Sequence, residues 1–266
     1  MHLIVCVKEI PDPETPVSAF AIDPVAMRAI SAKDKPPVTS PFDEQAVEAA
    51  LRIKDAHGGK VTVISMGAPS AGKILKHALS MGADEAILLN DSLFENSDSF
   101  STAYVLSQAI KKIGQFDFIF CGRQAGDFDA GQVGSGVAEL LGIPSVTVAK
   151  KIEVKDGKAR VERVLPDGYE VVEVSLPALI TVSNELGQPR YASLKGIMAA
   201  AKKKVTLWNA AEIGADASKV GAVGARTKML KLFIPVREGK CEIITGENEG
   251  EAAINLALKL REAKLI

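Results

Sequence analysis

Short apolar runs alternate with amphipathic segments through the first half of the chain, and this alternation constrains the fold more than any other feature. The runs are rich in Val, Ile, Leu and Phe, which is typical of strands buried on both faces. They lie at residues 3–7, 61–66, 86–89 and 118–120. Because strands that alternate with helices form a parallel sheet with helices on both faces, we predict an α/β fold.

Boundary residues mark the segments between these runs. Ser40-Pro41 predicts a helix start, since Ser caps a helix and Pro suits its first position, and Asp98 is a second predicted N-cap. Prolines interrupt the periodicity between residues 14 and 40, which predicts an irregular excursion with room for a short hairpin.

The pattern changes after Pro144, where turn residues predict antiparallel additions to the parallel core. Asp156-Gly157 and Asp167-Gly168 are hairpin turns, and residues 177–182 form another apolar strand. Residues 187–204 predict a polar loop followed by a short helix with a basic end.

The remainder of the chain has a different character. Residues 209–248 contain few core residues, whereas residues 249–263 predict one amphipathic helix. A lone arm would not offset the entropy cost of its own ordering, so we expect it to pack on another chain. We therefore predict an α/β domain over residues 1–204 and a C-terminal arm over residues 205–266.

Composition excludes several classes of function. The net charge of −1 argues against a nucleic-acid surface, and no apolar run is long enough to span a bilayer. The chain enters its first strand without a basic leader, which predicts no signal peptide. Three widely spaced cysteines indicate a reduced, cytoplasmic protein, and the three histidines show no metal-ligand spacing. We predict no catalytic residue, because Cys121 has no neighbouring His and is expected to be a small buried strand residue.

A glycine-rich stretch, Cys121–Gly136, follows one apolar run and leads into a helical segment. Strand, glycine-rich turn and helix N-terminus form the geometry that holds a phosphate, because backbone N–H groups converge there and the helix dipole favours negative charge. The spacing fits neither the dinucleotide fingerprint nor the P-loop, so an ordinary strand-to-helix turn is the alternative.

Companion loops favour the nucleotide interpretation. Ligands of parallel sheets bind at the carboxyl ends of the strands. The loops at 6–12, 40–43, 66–70 and 121–134 are all expected at that edge. Every α/β sheet has such an edge, so the ordinary turn stays open at this point.

One region is more specific. Leu176–Val182, followed by Gln188–Met198 and the run Lys202–Lys204, resembles the small (beta) subunit of electron-transfer flavoproteins. Further motifs along the whole chain are similar to the same family, namely Val5–Lys8, Ser40–Phe42, Ala83-Asp84 and Gly122–Ala125. Two positions depart from it: Pro166 replaces an acidic residue, and Gly187 stands where Asn is common.

The resemblance implies an adenine-nucleotide-binding, Rossmann-like fold whose C-terminal arm embraces a larger alpha subunit that carries FAD. Such a heterodimer passes electrons between NADH or acyl-CoA-type dehydrogenases and other redox partners. In this family the small subunit binds AMP in the housekeeping type and a second FAD in the electron-bifurcating type.

Carried over by position, the resemblance also implies site residues. Those for the partner proteins are Arg190, Tyr191 and Leu194, with Leu194 as an apolar anchor for the dehydrogenase or, alternatively, packed inward under the short helix. Those for the cofactor are Cys6, Ser40, Pro41, Phe42, Asp43, Met66, Gly122, Arg123, Gln124, Ala125, Asp127, Asp129, Ala130, Gly131, Gln132, Val133 and Gly134.

The residues at the helix start favour FAD over AMP. The AMP type resembles Asn-Gln-Thr where this chain has Gly131-Gln132-Val133, and Val133 has no hydroxyl for a phosphate monoester. The stretch Gln132–Ser135 matches three of the four residues Gln-Val-Gly-Pro of the bifurcating type, although Phe128 replaces an expected Gly. The alternatives are a plain electron carrier with AMP here, and a nucleotide-binding sensor without a redox role.

Overall fold

A computed structural model describes residues 1–25, 27–31, 34–235, 239 and 241–266. The undescribed positions fall within the predicted excursion at 14–40 and the predicted core-poor stretch at 209–248, so those two predictions lie partly outside the described residues. The chain divides into two compact units, Met1–Leu232 and Phe233–Ile266.

The first unit contains all the described strands, and helices lie between and after them. In chain order the strands are β1 (His2–Cys6), β2 (Glu9–Ile10), β3 (Ala21–Asp23), β4 (Arg28–Ile30), β5 (Val38–Thr39), β6 (Lys60–Met66), β7 (Glu85–Leu89), β8 (Phe118–Gly122), β9 (Ser145–Lys155), β10 (Lys158–Leu165), β11 (Gly168–Ser175), β12 (Ala178–Val182) and β13 (Val205–Trp208). The helices are α1 (Pro41–His57), α2 (Gly72–Met81), α3 (Ser99–Ile113), α4 (Val133–Leu141), α5 (Leu194–Lys202), α6 (Gly221–Gly224) and, in the second unit, α7 (Glu249–Glu262).

The α/β prediction is confirmed. Among the described residues, nine strands form one sheet in the order β11-β10-β9-β12-β8-β1-β6-β7-β13. The strands from β12 to β13 run parallel, and β10 and β11 extend the sheet as antiparallel strands beyond β9. The pair β3–β4 lies in the predicted excursion and is the expected short hairpin, whereas β2–β5 pairs residues before the excursion with residues at its end.

Alternate residues of the central strands build two cores, one on each face of the sheet. Leu3 and Val5 of β1 face the layer of α1, α2 and α5, whereas Ile4 faces the layer of α3 and α4. Both sets are fully buried, which explains why these strands are continuous apolar runs without polar alternation. The sheet therefore leaves its strand ends, rather than its faces, available for ligands.

The predicted helix starts are confirmed. Helix α1 begins at Pro41 after Ser40, with Asp43 and Glu44 in its first turn. Helix α3 is capped by Asp98, whose carboxylate accepts the N–H of Ser101 at 2.9 Å.

Strand β9 belongs to both the parallel and the antiparallel part of the sheet. Its first residues pair in parallel with β12, and its last residues pair antiparallel with β10. Val148 has a positive φ of 60°, and the register shifts beside it. This irregularity lets one continuous strand serve two neighbours of opposite direction.

Strand β13 and the segment after it differ from the prediction. Residues 205–208 add to the edge of the sheet beside β7, and Ala210, Ile213 and Val220 are buried in the core on the α3 face. Asp98 accepts backbone N–H groups of Arg226 and Thr227 as well as capping α3. The compact unit therefore extends to Leu232, beyond the predicted boundary at residue 204.

The second unit contains α7, which agrees with the predicted helix at 249–263. Asn248 caps it by accepting the N–H of Glu251 at 3.0 Å, and its apolar residues, including Ile254 and Leu256, are exposed. Its packing on another chain remains a prediction. Among the described helices, none is both long and apolar enough to cross a membrane.

Candidate functional site

The carboxyl ends of three neighbouring strands place the predicted cofactor residues at one edge of the sheet. Cys6, Met66 and Gly122 are the last residues of β1, β6 and β8. Cys6 is in register with Ile64, and Val5 with Phe120, so β6 and β8 end one or two residues beyond the end of β1 at the same edge of the sheet.

Asp43 joins the loops that leave this edge. Its Oδ2 atom accepts the N–H of Lys8 at 2.8 Å, and its Oδ1 atom accepts the N–H of Gly122 at 3.0 Å. One carboxylate in the first turn of α1 therefore holds the chain just after β1 and the chain at the end of β8.

Ser40 adds two more links between the same segments. Its backbone N–H donates to the carbonyl oxygen of Lys8 at 2.9 Å, and its Oγ atom accepts the N–H of Gly126 at 3.3 Å. Ser40 is fully buried. Its side chain thus ties the glycine-rich loop to the start of α1, while the predicted cap bond to α1 is absent.

The environment of Asp43 changes its protonation. The side chain is only 6% exposed. Burial raises the pKa of Asp43 to about 7, although the N–H groups of Lys8 and Gly122 and the charge of Lys8 act in the opposite direction. This carboxyl group therefore titrates near neutral pH.

Two predicted cofactor glycines allow close packing within the chain itself. A Cβ at Gly122 would lie 2.8 Å from the carbonyl carbon of Phe42, and a Cβ at Gly134 would lie 2.8 Å from Cγ2 of Thr181. The absence of a side chain at Gly122 thus lets the start of α1 pack closely against β8, and its absence at Gly134 lets α4 pack closely against β12. At these two positions a side chain would collide with this chain's own atoms.

The surface of the site is formed by the glycine-rich loop and the start of α4. Residues 126–132 are exposed, and Gly131 has a positive φ of 63°. The loop is ordered from within: the N–H of Asp129 donates to the carbonyl of Ala125 at 3.0 Å, and Gln124 donates to the Asp129 carboxylate at 2.8 Å. Gln132, the N-cap residue of α4, makes no side-chain bond to the first turn. The N–H groups of that turn are therefore available to an anion.

Charged side chains border this surface. The Nζ atom of Lys8 lies 2.6 Å from Asp127 and 5.1 Å from the centre of the Phe128 ring. The guanidinium group of Arg123 lies 5.2 Å from the centre of the Phe42 ring. Lys8 was absent from the predicted site residues, although it follows the apolar run of β1 directly.

The remaining predicted cofactor residues lie around these groups. Cys6 is buried and Met66 is half-buried at the ends of their strands, and Val133 is half-buried at the start of α4. Pro41 and Ala130 are exposed, and Ala125 is half-buried.

The cysteines at this edge are enclosed within the protein. Cys6 and Cys121 are both buried at the ends of neighbouring strands. A hydrogen bond with Cys6 and burial raise the pKa of the Cys121 thiol well above its usual value. This agrees with the interpretation of Cys121 as a small buried strand residue. Among the described residues, no group of His, Cys, Asp and Glu could hold a metal ion.

The predicted partner residues lie elsewhere, at the start of α5. Tyr191 is 99% exposed and Leu194 is 75% exposed, so the alternative in which Leu194 packs inward is wrong. The sequence predicts a partner contact for Arg190 as well. Its guanidinium group pairs with Glu48 and Asp55 within the same chain, at 2.7 and 2.8 Å, and its contact with a partner stays a prediction.

The fold defines an α/β protein with a mostly parallel central sheet, and the predicted nucleotide residues lie at its carboxyl edge. An electron transfer flavoprotein domain model matches residues 29–213. The electron transfer flavoprotein subunit beta of Thermoanaerobacterium thermosaccharolyticum is 44% identical over the full length of both chains. The caffeyl-CoA reductase-Etf complex subunit CarD of Acetobacterium woodii is 41% identical, and the acryloyl-CoA reductase electron transfer subunit gamma of Anaerotignum propionicum 36%, again over both full lengths.

The chain therefore belongs to the electron-transfer flavoprotein family, among its small, or beta, subunits. Its function class is electron transport, and a beta subunit of this family pairs with an alpha subunit. The alternative of a nucleotide sensor without a redox role is set aside by this membership.

Replacing Asp43 by Asn should remove a pH dependence of stability. The folded carboxyl has a pKa of about 7, above its ordinary value of 3.8, so the folded chain keeps a proton that the unfolded chain has released. As the pH rises from about 4 to about 7, the free energy of unfolding of the wild type should therefore fall relative to that of Asp43→Asn. Denaturant titrations of both proteins across this range measure the difference, and parallel pH profiles would contradict it.

Replacing Gly131 by Val should weaken nucleotide binding if the glycine-rich loop approaches a phosphate closely. Gly131 has a positive φ, where a β-branched residue is strained by roughly 1–2 kcal/mol, so the loop would shift at the start of α4. Gly157→Val is the matched control, since Gly157 has a φ of 72° in a hairpin turn with open space around it. We expect nucleotide loss from the purified complex in the first variant only. Full nucleotide content in both would show that the loop is only a turn.

Proposed function

We propose that this small subunit works in flavin-based electron bifurcation and binds FAD at the carboxyl edge of its sheet. In this proposal the chain forms a heterodimer with a large subunit that carries a further FAD. NADH is the proposed electron donor. The observation that carries the proposal is the start of α4: no side chain caps its first N–H groups, and its first residue is the apolar Val133.

The donor set at this edge suits a bridging pyrophosphate. The N–H groups of the first turn of α4 and the Arg123 guanidinium would face it, and the exposed backbone at Gly131 leaves room for a close approach. The nearby carboxylates are already compensated, because Asp127 pairs with Lys8 and Asp129 accepts from Gln124.

A terminal phosphate monoester, as in AMP, requires a different set of hydrogen-bond donors. It carries more charge on one phosphate and gains from hydroxyl donors beside the helix N-terminus. Val133 offers none. The exposed ring of Phe128, in place of an expected Gly, keeps AMP as the alternative ligand.

The chain's own groups hold and shape the site. Asp43 and Ser40 fix the strand-end loops, and the half-buried Met66 and Phe42 supply apolar surface. When bound at this edge, a flavin would supply hydride acceptance from NADH and single-electron transfer to two acceptors.

The printed names of two relatives support a partner class. One belongs to a caffeyl-CoA reductase complex, and another is an electron transfer subunit of acryloyl-CoA reductase. We infer that an acyl-CoA-type dehydrogenase receives or supplies electrons here, and that Tyr191 and Leu194 contact it. An exposed apolar side chain with a polar rim is a suitable anchor for such a contact. A cytoplasmic location remains an expectation from the cysteine content.

Counting the nucleotides released by denaturing the purified heterodimer tests the proposal. We expect two FAD per complex and no AMP, because the start of α4 lacks the hydroxyl that a monoester favours. Chromatography of the released nucleotides against a protein assay gives the ratio. One FAD and one AMP per complex would overturn the bifurcation proposal in favour of a plain electron carrier.

Replacing Leu194 by Ala should weaken docking of the dehydrogenase. Loss of a central apolar anchor is expected to raise the KM of an acyl-CoA dehydrogenase for the complex about tenfold, or about 1.4 kcal/mol. Leu93→Ala removes another exposed leucine, from the turn between β7 and α3, and should leave KM unchanged. Flavin content should stay normal in both variants. Loss of flavin in Leu194→Ala would show a structural role for that residue instead.

A further inference from the structure

The segment Gly187–Lys203, here called the recognition segment, is anchored to helix α1 by a buried carboxylate. Glu48 is 4% exposed and faces this segment from the middle of α1. Its Oε2 atom accepts from Nε of Arg190 at 2.7 Å and from the backbone N–H of Arg190 at 3.2 Å. Glu48 therefore fixes both the side chain and the backbone of the residue next to Tyr191.

Arg52, one turn further along α1, extends this anchor. Its Nε atom donates to Oε1 of Glu48 at 2.8 Å. Its remaining guanidinium N–H groups donate to the carbonyl oxygens of Leu186 at 3.0 Å and Gln188 at 3.3 Å. Burial acts to raise the pKa of Glu48, but hydrogen bonds from Arg190 and Arg52 hold that pKa below its usual value. The carboxylate therefore stays charged between two guanidinium groups.

The far end of the segment is also held. Nζ of Lys76 on α2 donates to the carbonyl oxygen of Ala200 at 2.8 Å and to that of Ala201 at 3.1 Å, in the last turn of α5. Near the start of α5, a Cβ at Gly196 would overlap the carbonyl oxygen of Ser80. Helix α5 is thus seated on α2 at a fixed distance.

The anchored segment presents its apolar residues outward. Tyr191, Leu194, Ile197 and Met198 are all exposed, although each is large and apolar. Holding such side chains in one arrangement before contact reduces the entropy cost of binding. A loop without the Glu48 anchor would have to order itself at each encounter with a partner.

We propose that Glu48 is a positioning residue for docking of the redox partner: it holds Arg190, and through it the recognition segment, in the conformation that presents Tyr191 and Leu194. This inference rests on the docking role proposed above for Leu194. Glu48 itself lies beneath the segment and need not touch the partner.

The test compares Glu48→Gln with Glu44→Gln in the assembled heterodimer. Glu44 lies one turn earlier on the same helix and pairs with His77 of α2 at 2.6 Å, away from the segment. In Glu48→Gln we expect the KM of an acyl-CoA dehydrogenase for the complex to rise roughly tenfold, as expected when preorganisation is lost. Its kcat, its flavin content and its reduction of an artificial dye should stay near those of the wild type, as should all four readouts in Glu44→Gln.

Hydrogen exchange gives a second readout that a merely structural role would not move in this way. The Arg190 amide, which donates to Glu48, should exchange faster in Glu48→Gln, while amides in α1 and β8 should stay protected. Arg190→Gln removes the other, less buried partner of the same ion pair and should also raise KM. The double variant should add little to either single change.

Leu194→Ala distinguishes a failure of the docking role of Leu194 from a failure of the positioning role of Glu48. If it raises KM while Glu48→Gln and Arg190→Gln leave KM within about twofold of the wild type, the positioning role is wrong and the docking role stands. If Leu194→Ala itself leaves KM unchanged, the docking role fails and the positioning role fails with it.

Discussion

The candidate site depends on one buried carboxylate at the start of α1. Asp43 accepts N–H groups from the end of β8 and from the chain just after β1, so two loops that are far apart in sequence keep fixed positions at one edge of the sheet. Gly122 makes this possible, because a side chain there would collide with the start of α1. The same burial raises the pKa of Asp43 to about 7.

Helix α1 serves two surfaces of the molecule. Its first turn organises the strand ends at which a nucleotide is proposed to bind, and its middle holds the recognition segment through Glu48 and Arg52. An electron carrier that works as proposed needs both a rigid cofactor edge and a defined contact for its redox partner. Helix α1 contributes to both surfaces, and its buried apolar residues pack in the core.

Local patterns were sufficient to predict much of this structure. Apolar runs gave the central strands because those strands are buried on both faces, and Ser40-Pro41 and Asp98 gave helix starts because capping is a local effect. Strand β13 was not predicted, because its four residues follow a basic run and are too few to show a periodic pattern. Its pairing with β7 joins residues that are far apart in sequence. The sequence did not reveal why Gly122 and Gly134 are glycines: each allows a close contact, with α1 and with β12, between segments distant in sequence. The pair Glu48–Arg190 joins residues 142 positions apart, which no spacing rule can reveal.

The central claim is that the loops after β1, β6 and β8 and the start of α1 form one nucleotide site. Hydrogen exchange of the purified heterodimer, stripped of its nucleotides and then reloaded with FAD, tests it most directly. The account predicts that FAD slows exchange together at residues 7–9, 40–43, 66–68 and 122–133, with little change at the opposite edge of the sheet. Slowing confined to the amino ends of the strands, such as residues 112–117 and 201–204, or no change in this subunit at all, would contradict it.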